Sequence, residues 1–244
     1  MSKSVVLITG ADRGLGLEFV RQYAARGDSV IATCRNPDKA SELRSLASGK
    51  PGIVIEKLDV TNDAEVDALA ERYHGRPIDL LINNAGVLGT PAEQSLGALS
   101  RRHFHEVMDV NAFGPLGVSQ ALRANLIAGS GRKIVAVTSG LGSVAVAGGM
   151  AKGPYYYRMS KAALNMGMQA LGADLKAEGV TVAVLSPGAA DTAMFTAYRE
   201  GYVADRSGQS PAAAVAGMIR VIDELEPVRA AQGILKYDGG LVPW

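Results

Sequence analysis

Short apolar runs alternate with longer stretches in which apolar residues recur at helical spacing. The runs cover residues 5–8, 29–33, 52–58, 78–82, 133–138, 180–185 and 233–236, and their length and continuity predict buried strands. Between them the pattern predicts helices over residues 17–25, 36–46, 64–73, 100–126, 157–176 and 211–224, the fourth bending near Pro115. Pro37 suits the first turn of its helix, and Thr61 or Asn62 suits a cap. Strands alternating with helices imply a parallel sheet with right-handed crossovers, an α/β fold. No Pro/Gly/Ser-rich linker and no internal repeat divides the chain, so residues 1–244 read as one domain.

Composition narrows the class without naming a function. Apolar residues make up 48 % of the chain and the net charge is +1, so no basic excess points to nucleic acid and no charge block to a disordered tail. No apolar run approaches the ~20 residues of a membrane helix. Met1-Ser2-Lys3-Ser4 runs directly into the first strand and leaves no room for a signal peptide. The single cysteine, Cys34, excludes an internal disulfide. These features predict a cytoplasmic protein with neither a membrane nor a nucleic-acid partner, and no metal site is expected.

Candidate chemistry gathers where the strands end. Thr9-Gly10-Ala11-Asp12-Arg13-Gly14-Leu15-Gly16 lies between the first strand and helix. Gly10 permits the tight turn. Gly14 or Gly16 lets a phosphate approach the main chain and lets the helix sit close on the sheet, with free amides facing the anion. Cys34-Arg35, Asp59-Val60, Asn83-Asn84-Ala85-Gly86, residues 139–143 and residues 187–192 follow other strands. In such a sheet they converge beyond the carboxyl ends, where ligands bind. Tyr157 and Lys161 stand four residues apart, on one face of a helix. A free tyrosine has a pKa of about 10, and a nearby ammonium lowers it, fitting Tyr157 for general acid–base work. Tyr155 and Tyr156 lack such a lysine and read as pocket-lining or packing residues. Thr138 and Ser139 alternate across the fifth strand, so one hydroxyl can face the cleft.

Taken together in this order and spacing, Thr9 to Gly16, Asn83 to Gly86, Ser139, and Tyr157 with Lys161 resemble the short-chain dehydrogenase/reductase family over essentially the whole chain. The resemblance implies a single Rossmann-like, doubly wound domain with seven parallel strands in the order 3-2-1-4-5-6-7 and hydride transfer between a nicotinamide cofactor and a carbonyl or alcohol. By position it makes Ser139 the substrate-orienting serine, Tyr157 the proton donor and Lys161 the residue that binds the nicotinamide ribose and lowers the tyrosine pKa. Asn111 matches the asparagine that holds a proton-relay water. Pro187, Gly188 and Thr192 match the segment that meets the carboxamide, and Asp59 with Val60 the pair at the adenine. The stretch Arg13 to Phe19, the start of the Tyr157 helix and the ending Asp238 to Trp244 resemble C-factor-like and sniffer-like carbonyl reductases. Those relatives often carry tryptophan and aspartate where this chain has Ala189 and Ala193. The 195–209 segment and the Ser139–Tyr157 spacing are also longer here, suggesting an inserted loop around residues 146–154.

No acid follows the second strand to bond ribose hydroxyls; Arg13 and Arg35 instead suit a 2′-phosphate. The expected cofactor is therefore NADP(H), with NAD(H) as the alternative. Cys34 reads as packing beside the adenosine. The expected activity is NADPH-dependent reduction of a small ketone or aldehyde, with specificity set by residues 88–94, 141–156 and 194–202. Met194, Phe195, Tyr198 and Tyr202 form an apolar lid within about residues 192–210. The alternatives are a dinucleotide-binding signalling or redox-sensing regulator of the C-factor type and a scaffold that binds no nucleotide. By resemblance, the 100–126 and 157–176 helices pair copies of the chain into a homodimer or homotetramer.

Overall fold

Every apolar run enters one sheet. The computed structural model describes residues 3–149 and 153–244. Its strands are β1 (Val5–Ile8), β2 (Ser29–Cys34), β3 (Ile53–Lys57), β4 (Leu80–Asn83), β5 (Lys133–Val137), β6 (Thr181–Ser186), β7 (Ile234–Lys236) and β8 (Leu241–Val242). Their order is β3-β2-β1-β4-β5-β6-β7-β8. The first seven are parallel in the expected order. The eighth strand is an addition, antiparallel to β7. Asp238 and Gly239 make the turn that reverses the chain, with Gly239 at φ +84° and the Asp238 carboxylate accepting from Gly240 N at 2.9 Å.

The helices are α1 (Gly14–Arg26), α2 (Ser41–Ser48), α3 (Asp63–Arg72), α4 (Arg101–Met108), α5 (Gly114–Ala121), α6 (Arg123–Ala128), α7 (Val144–Ala147), α8 (Tyr155–Leu175), α9 (Ala193–Tyr202), α10 (Pro211–Asp223) and α11 (Pro227–Ala230). They cover both faces of the sheet. Alternation along β1 sends Val6 and Ile8 into the layer shared with Phe19, Leu43 and Met218, and Leu7 into the layer shared with Val118, Leu164 and Met168. Asn62 caps α3 by accepting from Glu65 N. Pro37 opens a separate 3-10 turn, and α2 begins only at Ser41. Among the described residues no helix is long and apolar enough to cross a membrane.

The expected 100–126 helix is irregular just before Pro115. A π turn at Asp109–Phe113 separates α4 from α5, and α6 follows. Pro115 lies in the first turn of α5, where its missing N–H costs nothing. Gly114 fixes the approach, since a Cβ there would stand 2.8 Å from Val60 Cγ2. Below the sheet Asp79 ties three segments together, accepting from Val5 N at 2.8 Å, Ser130 N at 2.7 Å and Gly131 N at 3.1 Å. Burial alone would raise this carboxyl, but its hydrogen bonds outweigh burial and hold it below the ordinary carboxylate value.

Candidate active site

A cleft of about 830 Å³ opens along the carboxyl ends of the strands. At its centre β1 hands over to α1. Gly10 turns at φ +63° and lies so close to the loop after β4 that a Cβ would stand 2.9 Å from Ala85 Cα. Gly16 lies beneath the turn and outside the cleft lining. A Cβ there would meet Gly10 O at 2.1 Å, so glycine lets α1 start directly under the turn. Arg13 occupies the cap position with no side-chain cap, leaving the first amides of α1 for another acceptor. That cradle fits the pyrophosphate of a dinucleotide.

Asn84, rather than Asn83, holds the neighbouring loop. Its Nδ2 donates to Thr9 O at 2.9 Å and Gly10 O at 3.0 Å, while Thr9 Oγ1 accepts from Asn84 N and Ala85 N. Asn83 is buried outside the cleft lining, and its Nδ2 donates to Ser119 Oγ at 3.0 Å. Ala85 and Gly86 do line it. Asp12, Arg13, Gly14, Leu15, Arg35, Asp59 and Val60 line the cleft with Cys34. Lys39 joins them, a cation that sequence reasoning missed because a turn rather than a motif places it. The Arg13 side chain is 73 % exposed and forms an ion pair with Asp12 at 3.9 Å. Asp59 accepts from Thr61 N and Oγ1, which locks its orientation at the rim.

Ser139, Tyr157 and Lys161 meet at the other end. Both Thr138 and Ser139 border the cleft; Thr138 Oγ1 donates to Asn165 Oδ1 at 2.7 Å, while Ser139 Oγ accepts from Leu141 N at 3.1 Å and shares a hydrogen bond with the Tyr157 hydroxyl. Gly142 lets this loop rest on α8, where a Cβ would lie 2.7 Å from the Lys161 main chain. Lys161 Nζ donates to Val137 O at 2.8 Å and stands 5.8 Å from the Tyr157 ring centre. Burial pulls this ammonium down to about 8. Burial also pushes the Tyr157 hydroxyl up to about 12, against a hydrogen bond with Ser139 that lowers it. The expected lowering by Lys161 is therefore not the governing effect in the ligand-free geometry.

Asn111 is fully buried in the π turn and its side chain does not line the cleft. Its Oδ1 accepts from Val87 N at 2.8 Å, and its Nδ2 donates to Val87 O at 2.8 Å and Ser160 Oγ at 3.0 Å. The amide is thus engaged within the protein. Tyr156 packs, its hydroxyl accepting from Ser100 N, while Tyr155 is exposed and outside the lining.

Pro187, Gly188 and Thr192 follow β6 into the cleft. Gly188 has φ +69°, and Thr192 caps α9 by accepting from Phe195 N. Met194, Phe195 and Tyr198 of α9 line the cleft; Tyr202 instead donates to Pro91 O at 3.1 Å. The chain then returns, with Gln209 N donating to Ala189 O at 2.8 Å. The expected insertion at 146–154 begins as the end of α7, and its residues 150–152 lie outside the described residues. Ser143 Oγ donates to Pro243 O at 2.6 Å and Ala145 N to Trp244 O at 2.8 Å, so β8 and its continuation wall the same end, a part that motif reading missed.

A family model described as short chain dehydrogenase matches residues 4–203. The chain is 34 % identical over 245 residues to a 1-hydroxy-2-glutathionyl-2-methyl-3-butene dehydrogenase from Rhodococcus sp., covering 99 % of this chain and 100 % of the relative. It is 39 % identical over 168 residues to C-signal of Myxococcus xanthus, covering 69 % of this chain and 93 % of that one. The crystal structure of an NADPH-bound carbonyl reductase from chicken fatty liver superposes with a TM-score of 0.88 at 31 % identity, over 100 % of both chains.

Proposed function

The chain belongs to the short-chain dehydrogenase family, and on that premise we propose that it reduces a ketone or aldehyde to an alcohol with NADPH. The observation that carries this reading is the meeting of Ser139, Tyr157 and Lys161 at one end of a cleft whose centre is a phosphate cradle. The bound nicotinamide dinucleotide supplies the hydride. Gly10, Asp12, Gly14 and Leu15 hold its phosphates, with Gly16 shaping the turn beneath. Asp59 and Val60 flank the adenine, and Asn83 through its main chain, Ala85 and Gly86 flank the ribose side. Pro187, Gly188 and Thr192 meet the nicotinamide amide. Arg13 and Arg35, joined by Lys39, pair with the 2′-phosphate, whose geometry suits guanidinium groups.

Ser139 and Tyr157 both hydrogen-bond the substrate oxygen. The Tyr157 proton passes to that oxygen as negative charge develops there. Lys161, contacting the nicotinamide ribose, stabilises the phenolate that remains. Asn111 acts by fixing Val87 and Ser160 beside this centre. Leu88, Leu141, Val146, Met194, Phe195, Tyr198 and Val242 make an apolar wall suited to a small or medium apolar carbonyl. The similarity to the chicken carbonyl reductase, crystallised with NADPH, supports both cofactor and reaction class. We place the protein in the cytoplasm. We propose that copies pair across the π turn and α8, a reading supported by the exposure of Phe113, Met159 and Met166.

The similarity to C-signal favours a second reading, a signalling protein that binds the dinucleotide and turns over little. Paired fluorescence titrations with NADPH and NADH, followed by a carbonyl panel, separate the two. Tighter NADPH binding with turnover supports the reductase. Binding without turnover of any carbonyl supports the second reading.

A further inference from the structure

Helix α8 starts without a cap of its own. Pro154 stands at the cap position and offers no side-chain acceptor. The exposed amides of the first turn must therefore find acceptors elsewhere. Gln94, sixty-three residues away in sequence, provides two. Its main-chain oxygen accepts from Tyr155 N at 3.2 Å, and its Oε1 accepts from Tyr157 N at 3.2 Å. The other half of the same amide donates to Leu88 O at 2.8 Å. Both side-chain partners are backbone groups of fixed polarity, so the amide fits in one orientation only. Gln94 is 0 % exposed. Gly89 makes room for it, since a Cβ there would approach Gln94 Nε2 to 3.0 Å.

The carbonyl of Tyr157 is held as well, accepting from Ser160 Oγ at 2.8 Å. Ser160 Oγ accepts from Asn111, whose amide brackets Val87 N and O. Val87 is bonded to Leu88. The hydrogen bonds thus close a ring running Val87, Asn111, Ser160, Tyr157, Gln94, Leu88. Every side chain in the connecting positions, Asn111, Ser160 and Gln94, is fully buried. Val87 and Leu88 line the cleft.

We propose that Gln94 is a positioning residue for the reaction, closing a buried hydrogen-bonded ring that holds the main chain of Tyr157 against the Val87–Leu88 wall of the cleft. It touches neither substrate nor cofactor. It acts through Tyr157, holding the tyrosine N–H while Ser160 holds the C=O, so that the tyrosine main chain stays in register with the Val87–Leu88 wall. This rests on the assignment of Tyr157 as proton donor. Loss of the Gln94 amide frees one side of the ring, and a displacement of about 1 Å at a reacting group costs on the order of 100-fold in rate.

The test compares Gln94→Met, which removes both arms at similar volume, with Gln94→Glu, which keeps the acceptor toward Tyr157 N and loses the donor toward Leu88 O. Two readouts are independent. The first is amide hydrogen exchange over residues 155–158 in ligand-free protein. Q94M raises it about tenfold, the loss of one hydrogen bond of about 1.4 kcal/mol, while Q94E keeps more of the protection. The second is NADPH-dependent reduction of 4-nitrobenzaldehyde. Q94M lowers kcat by about 10- to 100-fold, leaves KM for NADPH nearly unchanged, and raises the deuterium isotope effect from 4-deuterated NADPH as chemistry becomes limiting. A smaller folded fraction would lower kcat without moving the isotope effect, and that result overturns the proposal. Unchanged exchange in both variants also overturns it. If the wild-type chain itself fails to reduce the aldehyde, the proposed function loses support, and the exchange readout still decides whether Gln94 clamps Tyr157.

Discussion

Burial moves the two ionisable groups at the reacting end of the cleft in opposite directions, and the pH dependence of stability follows. Lys161 gives up its proton near 8 in the folded chain and near about 10.4 when unfolded. Between those values the unfolded chain binds more protons, so stability rises with pH. Tyr157 behaves oppositely. The unfolded chain releases its proton near about 10 and the folded chain near 12, so stability falls as pH rises through that window. Thermal melts of ligand-free protein across pH 7–12 check both. Lys161→Met flattens the rise above about pH 8 and Tyr157→Phe the fall above about pH 10; slopes that match wild type would show ordinary ionisation at both residues. At the adenosine end, Arg35→Ala weakens NADPH binding by about 10-fold or more, the size of a lost charge-assisted hydrogen bond, and leaves NADH nearly unchanged. Equal losses for both cofactors would remove the 2′-phosphate from the account. The residue types at the reacting end were legible because Ser139, Tyr157 and Lys161 are spaced by one strand end and one helix face. The destinations of Asn83, Asn111 and Gln94 were not, since each bonds to a partner brought close only by the tertiary fold.

Elements show the same division. Helix α1 is fixed by local chemistry: an apolar strand, a glycine turn and an amphipathic run. Gly16→Ala would push a Cβ into Gly10 O, so α1 must shift from β1 and the cradle opens. We expect calorimetric titration to show NADPH affinity reduced by at least about 100-fold, near the upper range for overpacking; unchanged affinity would place the phosphates elsewhere. The irregularity expected near Pro115 in the 100–126 helix is a π turn ending at Phe113, and tertiary packing accompanies it, with Gly114 against Val60 and the buried Asn111 amide satisfied by Val87. Helix α8 begins two residues earlier than its tyrosine–lysine pair suggested, because Gln94 caps it from another element. The base of the sheet depends on one carboxylate. Asp79→Ala strands the amides of Val5, Ser130 and Gly131, and chemical denaturation should show a loss of about 2–4 kcal/mol. A loss below about 1 kcal/mol would mean that water replaces the carboxylate there.

At the scale of the molecule, the order of seven parallel strands was readable because alternating strands and helices with right-handed crossovers leave few topologies. The eighth strand was hidden by its length, only Leu241–Val242, although its Asp-Gly turn was in view. The fold gathers segments from residue 10 to residue 242 into one cleft that brings the glycine turn and the Ser139, Tyr157 and Lys161 cluster together. The central claim is that Tyr157 hands its proton to a carbonyl reduced by NADPH. The measurement that tests it most directly is NADPH oxidation with 4-nitrobenzaldehyde by wild type and Tyr157→Phe, each paired with an NADPH fluorescence titration. The account predicts turnover by wild type, a loss of about 10²–10⁴-fold in the variant, and matching NADPH affinities. Turnover by the variant within a few-fold of wild type, at equal affinity, would contradict it.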